Sequence, residues 1–146
     1  MAYLGKYAVV LFILIVITHA LATLNFWYWT FPWLDIPMHF VGGFWVAITL
    51  VYLDSRFNLS LFKEKNFFLN LLIIVSFVAL IGVFWEFFEF IYDFFSNGDT
   101  YANSIEGLKV AQQGLKDTIG DLFFDLVGGT VFVFLNKIFC SNKTNL

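Results

Sequence analysis

The chain has 146 residues, of which 60% are hydrophobic and only 13% are charged, and its formal net charge is −3. Soluble domains carry about 25% charged residues, and a chain this short has too little interior to bury so many apolar side chains, so the composition excludes a soluble globular protein. Nucleic acid is also excluded as a partner, because phosphate binding needs clustered cations and the densest basic stretch is Lys63-Glu64-Lys65.

The first apolar stretch covers residues 7–29 and is long enough to cross a bilayer, which takes about 20 helical residues. Its beginning resembles a secretory signal peptide, because Lys6 precedes an apolar run that reaches the small residues Ala20 and Ala22. The apolar run continues past that point to Trp29, however. We therefore expect a retained transmembrane helix.

Three further stretches are equally apolar, at residues 36–53, 67–95 and 118–139. Irregular backbone facing lipid would leave amides unpaired, so each stretch is predicted to be a helix. A tight turn with Pro32 precedes the second span, and a polar loop of residues 96–116 with a possible short surface helix at 105–110 precedes the fourth. The sequence predicts one all-α transmembrane domain over residues 1–146, a four-helix bundle with a long outer loop between helices 3 and 4.

The distribution of lysine and arginine predicts the orientation of this bundle. If Lys6 lies inside, the basic residues that also lie inside are Arg56, Lys63, Lys65, Lys137 and Lys143. Only Lys109 and Lys116 then lie outside. We expect both termini in the cytoplasm and the aromatic cluster around Trp27 and Trp33 at the outer interface.

Ionisable residues within the spans share one face of each helix and one depth. The second span has Asp35 and His39, the third has Glu86, Glu89 and Asp93, and the fourth has Asp117, Asp121 and Asp125. The spacings within each group are three or four residues, which places the side chains on one helical stripe. With the predicted topology, all three groups lie near the outer membrane face. Glycines at 42, 43, 82, 128 and 129 would let the helices approach closely there.

So many carboxylates cannot be ionised together in a low dielectric without counter-charge, and the outer halves of the spans contain no lysine or arginine to supply it. Protonation, water or bound cations could resolve this, and a divalent metal ion is the most economical answer. Carboxylates with one imidazole suit Mg²⁺, Mn²⁺, Fe²⁺, Zn²⁺ or Ca²⁺. The predicted metal ligands are Asp35, His39, Glu86, Glu89, Asp121 and Asp125.

Several of these residues have simpler interpretations. Asp35 and Asp117 could each cap a helix N-terminus, and Asp93 could be solvated at the interface. His39 could make an ordinary hydrogen bond between helices. His19, in the first span, is more simply a structural residue, although it could reach the acidic cluster.

Three motifs together resemble those of VanZ-like and YjdF-type small membrane proteins. They are Asp35-x-x-x-His39 followed by Gly42-Gly43, then Trp85-Glu86-x-x-Glu89, and finally Asp117-Thr118-x-Gly120-Asp121 leading to Asp125-x-x-Gly128-Gly129. The resemblance spans residues 35–130 and implies a compact bacterial inner-membrane protein, some relatives of which are linked to glycopeptide-antibiotic resistance. Asp125 departs from the pattern, which has an asparagine before the glycine pair.

Three functions remain open from the sequence. The first is a metal-dependent enzyme on a membrane lipid or lipid-linked headgroup, with Glu89 as general base and Lys109, Lys116, Asp117 and Asp93 as substrate-binding residues. The second is a cation- or proton-binding transporter or channel-like protein. The third is a non-catalytic membrane assembly factor whose carboxyl groups are protonated and hydrogen-bonded.

Overall fold

The computed structural model describes residues 2–62, 66–97 and 114–142, and the described residues are helical with short turns and no strand. The four long helices are α1 (Ala2–Leu24), α3 (Asp35–Phe57), α4 (Phe67–Asn97) and α5 (Leu115–Asn142). Between α1 and α3 lie a short helix α2 (Trp27–Thr30) and one 3₁₀ turn (Pro32–Leu34). All four long helices contain a segment apolar and long enough to cross a membrane, so the predicted all-α, four-helix membrane fold is confirmed.

The first helix ends earlier than its hydropathy predicts. It was expected to continue to residue 29, but it ends at Leu24, and Phe26 adopts a left-handed backbone conformation with φ of 59°. This conformation is rare for a bulky residue, and it turns the chain sharply into α2. The turn brings Tyr28 back against α1, where its hydroxyl lies 2.9 Å from Nδ1 of His19. The surface helix proposed at 105–110, with Lys109, lies outside the described residues.

Glycines bring the backbones of α3 and α5 into direct contact. A Cβ added to Gly43 would overlap the carbonyl group of Asp125, and one added to Gly128 would overlap the carbonyl group of Phe40. Such close approach is how membrane helices gain packing energy without a hydrophobic driving force between them. The contact also presses the acidic residues of α5 against the start of α3.

The apolar core fills one half of the bundle and leaves the other half to polar groups. Its buried members on α3, α4 and α5 are Val46, Ala47, Ile48, Leu50, Val51, Ile74, Val78, Phe132 and Val133. α1 is peripheral: Leu4 and Ala8 join this core, and the backbone carbonyl of Ala8 accepts a 2.9 Å hydrogen bond from the indole of Trp45. At the opposite end meet the N-termini of α3 and α5 and the C-terminal half of α4, which we call the acidic end.

Candidate metal centre

The imidazole of His39 lies at the centre of the acidic end and is only 7% exposed. Its Nε2 atom lies 3.7 Å from Oδ1 of Asp35, one turn earlier on α3, and 3.8 Å from Oδ1 of Asp121 on α5. Its other nitrogen, Nδ1, lies 3.5 Å from Oδ2 of Asp125. Three carboxylates from two helices therefore surround one ring.

Asp35, His39 and Asp121 offer three ligand atoms that all lie within 4.8 Å of one another. The Nε2–oxygen separations exceed hydrogen-bond length, which ends near 3.2 Å for a good bond. Two ligands of one cation lie about 3–4.2 Å apart when each bond is about 2.0–2.2 Å long. The spacing around Nε2 fits a shared cation better than direct hydrogen bonds, so this group could hold a metal ion.

Asp125 occupies a different position from the other two aspartates. It was predicted to be a metal ligand, but its carboxylate lies near Nδ1, whereas those of Asp35 and Asp121 lie near Nε2. At 3.5 Å this is the shortest of the three contacts, and a carboxylate beside Nδ1 favours the imidazole tautomer that leaves Nε2 free to bind a cation. The geometry therefore gives Asp125 the place of an orienting residue.

Two glycines make room for the carboxylate of Asp125. A Cβ on Gly82 of α4 would lie 2.7 Å from Oδ2 of Asp125, and a Cβ on Gly42 would lie 3.7 Å from Oδ1. Any side chain at Gly82 would displace the oxygen that contacts His39. Gly82 is thus a site-shaping residue as well as a helix-packing residue.

The remaining predicted ligands lie beside this centre. Glu86 is 5% exposed and interacts electrostatically with Asp121. Asp121 interacts in the same way with Asp35, His39 and Asp117. Glu89 is half-buried and lies one turn after Trp85 on α4. Its carboxylate accepts a 2.8 Å hydrogen bond from the indole of Trp85. α4 therefore contributes two further carboxylates to the same cluster.

The positions of the acidic residues distinguish between the simpler interpretations given for them. Asp35 is the first residue of α3 and the N-cap position belongs to Leu34, so the capping interpretation of Asp35 is wrong. Asp93 is fully buried, so the interpretation as a solvated interfacial residue is also wrong. Asp117 is the third residue of α5, where a negative charge is stabilised by the helix dipole, and the neighbouring Lys116 is exposed.

A cavity of about 290 Å³ adjoins the cluster between α1, α3 and α4. Its polar lining consists of His19, Tyr28, Asp35, His39, Glu89 and Asp125. His19 also packs edge-on against Trp85 of α4, with ring centroids 5.5 Å apart. The burial of Tyr28, together with the nearby charges of Asp35 and Glu89, raises the pKa of its phenol, so the hydroxyl group stays protonated at neutral pH.

Sequence reasoning did not find Tyr28 or Trp85 as site residues, and it favoured a structural role for His19 while leaving open that His19 reaches the acidic cluster. The signal was weak because Tyr28 lies in an aromatic cluster typical of a membrane interface. Its approach to the site depends on the left-handed turn at Phe26, which hydropathy does not reveal.

Residues 2–142 match the family model described as "Predicted membrane protein (DUF2238)". The chain belongs to this family. Neither a curated protein nor a solved structure matches the chain. Membership of the DUF2238 family and the four candidate spans agree on a membrane protein, and the buried histidine–aspartate group is a possible metal centre of this family member.

Proposed function

We propose that this DUF2238 protein is a divalent-metal-dependent hydrolase or transferase acting on the headgroup of a membrane lipid or lipid-linked substrate. The observation that carries the proposal is the spacing around Nε2 of His39, which suits a cation shared with Asp35 and Asp121. Three protein donors leave coordination positions open, which is typical of catalytic rather than structural sites. The adjoining cavity supplies space for a substrate.

The proposed chemistry divides between the cation and its surroundings. A divalent ion at this site would act as a Lewis acid on a phosphoryl or carbonyl oxygen. Glu89 lines the cavity together with Asp35 and His39, so its carboxylate can take a proton from an attacking water as general base. Lys116 is exposed at the start of α5, beside Asp117, and is our candidate contact for an anionic headgroup. Lys109, the other lysine predicted to bind the substrate, lies outside the described residues.

The same proposal assigns an orientation and a compartment. The positions of lysine and arginine along the sequence support cytoplasmic termini, with the acidic end at the outer face, and the resemblance to VanZ-like and YjdF-type proteins supports a bacterial inner membrane. We further propose that the relationship extends to the VanZ-like and YjdF-type proteins. In a Cys140→Ser background, a membrane-impermeant thiol reagent added to intact cells should label Trp33→Cys and leave Asn58→Cys unlabelled. Labelling of Asn58→Cys alone would reverse the orientation.

An ion pathway is less well supported than an enzyme site. A transporter needs polar groups that continue across the membrane. Beyond Gly43 the described cavity lining is apolar, with Trp45, Val46 and Val78, and the next layer is the apolar core. The polar lining of the cavity therefore ends inside the bundle, although Thr49 and Asn70 each place a buried side-chain oxygen beyond it.

The test of the proposed function is a metal titration followed by a turnover assay. Purified protein in lipid nanodiscs is titrated with Zn²⁺ and with Mn²⁺ by calorimetry, and the same samples are incubated with phosphatidic acid while phosphate release is followed by ³¹P NMR. We expect one saturable site in the wild type, none in His39→Ala, and an unchanged site in the control Asp54→Asn. Asp54 lies at the far end of α3, where its Oδ1 accepts a 2.7 Å bond that asparagine can also accept. A wild type that binds no metal ion stoichiometrically would refute the proposal.

A further inference from the structure

The polar and apolar residues that line the cavity beside the metal centre lie at different positions along the bundle axis. On α1, the apolar lining residues Phe12 and Ile15 precede His19, and on α4 Val78 and Ile81 precede Glu89. α3 runs in the opposite direction, and there Asp35 precedes the apolar lining residue Val46. Because the order reverses with the helix direction, all three helices place their polar lining at the acidic end and their apolar lining toward the middle of the bundle.

The dimensions of the cavity suit one hydrocarbon chain. From Asp35 to Val46 and from Val78 to Glu89 there are eleven helical steps, so the cavity is about 16 Å long at a rise of 1.5 Å per residue. Its volume of about 290 Å³ lies just below the usual range of ligand pockets, which is about 300–1,000 Å³. A cavity of this volume has room for one hydrocarbon chain but not for both chains of a phospholipid.

The side of the cavity toward lipid lies between α1 and α4. Val16 on α1 and Trp85 on α4 both line the cavity, and their exposed fractions are 48% and 38%. α1 packs mainly on α3, to which the Trp45–Ala8 hydrogen bond ties it. The contact between the rings of His19 and Trp85 bridges α1 and α4 at the polar end of this boundary.

We propose that this cavity binds a single hydrocarbon chain of an amphiphile, with the headgroup at the His39 cluster and the chain extending toward Phe12, Trp45 and Val78. The hydrocarbon chain enters the cavity from the side, out of the bilayer, between α1 and α4. The position of the headgroup in this proposal rests on the proposed function. The proposal narrows the substrate class to single-chain amphiphiles, or to lipids of which one hydrocarbon chain enters the cavity. A free, water-soluble phosphate ester would leave the apolar part of the cavity unfilled.

The test uses dodecyl phosphate that carries a photoactivatable diazirine on its terminal carbon, with protein in nanodiscs and peptide mapping by mass spectrometry. We expect cross-links at Phe12, Trp45 or Val78. Ile15→Trp fills the cavity from α1 without removing a polar group and should lower these cross-links about tenfold, equivalent to about 1.4 kcal/mol of binding. Ile15→Phe is the milder version if the larger residue disturbs folding.

Ile17→Trp is the matched control, because Ile17 lies on the same helix, is 51% exposed and is not among the cavity-lining residues. Equal cross-linking in the Ile15 and Ile17 variants would overturn the proposal, since it would indicate ordinary contact with surrounding lipid. Metal titration of the same samples separates the two proposals. Cross-links that depend on Ile15 in a protein without a metal site would support the chain-binding cavity and refute the metal-dependent enzyme.

Discussion

Replacement of Asp125 by asparagine distinguishes an orienting residue from a metal ligand. Asp121 and Asp125 lie one turn apart on α5, and their carboxylates approach His39 almost equally, at 3.8 and 3.5 Å. Proximity alone would therefore predict equal effects of the two substitutions. They should differ, because Asp121 faces Nε2 with the metal-binding group and Asp125 faces Nδ1.

The expected magnitude follows from these two roles. Loss of an orienting carboxylate beside a ligating histidine weakens metal binding about 10–100-fold, which corresponds to about 1.4–2.7 kcal/mol. Asp125→Asn should fall in that range, because the amide keeps the side-chain volume beside Gly82 while losing the charge that favours the Nδ1 proton. Asp121→Asn should weaken binding more, because it replaces a charged ligand by a neutral one.

The assay is a calorimetric Zn²⁺ titration of both variants in nanodiscs, with Asp54→Asn as the control for an aspartate elsewhere in a membrane helix. Equal losses in the two α5 variants would show that both aspartates bind the ion directly. Unchanged affinity in Asp125→Asn would show that the contact with Nδ1 has no orienting role. Either result would refute the assignment.

Further predictions concern packing and metal removal. Gly82→Ala should weaken Zn²⁺ binding about as much as Asp125→Asn, because the added methyl group would displace Oδ2 of Asp125. Gly120→Ala is the control: a Cβ there meets no atom within 4 Å, so the affinity should be unchanged. Gly43→Ala overlaps the α5 backbone and should destabilise the fold by at least about 1–3 kcal/mol, measured as a lower midpoint of denaturation in detergent. Trp45→Phe should cost about 0.5–1.5 kcal/mol in the same assay, since it removes the hydrogen bond to α1. A chelator should remove about 2.7 kcal/mol of stabilisation from wild type held at a Zn²⁺ concentration of 100 times its Kd; no shift in the midpoint would contradict a bound ion.

Hydropathy and helical spacing were enough to predict much of the candidate site. The i, i+4 spacing of Asp35 and His39, and of Asp121 and Asp125, placed each pair on one stripe, and the alternating direction of the spans placed the stripes at one end of the bundle. The structure brings Asp35, His39, Asp121 and Asp125 together and puts Glu86 and Glu89 beside them. The role of each residue was less predictable, because spacing along one helix does not say which atom of a partner helix it meets.

The membrane fold and the acidic end could therefore be predicted from the sequence. A run of about 20 apolar residues and a helical spacing are local features, which do not depend on how the helices pack against one another. The tertiary structure alone decided which nitrogen of His39 faces which aspartate, that Tyr28 and His19 reach the cavity, and that the cavity is sorted by polarity. These features depend on how closely helices cross at Gly43, Gly82 and Gly128 and on the turn at Phe26. Such distances of a few ångströms between residues far apart in the chain arise only when the whole bundle packs.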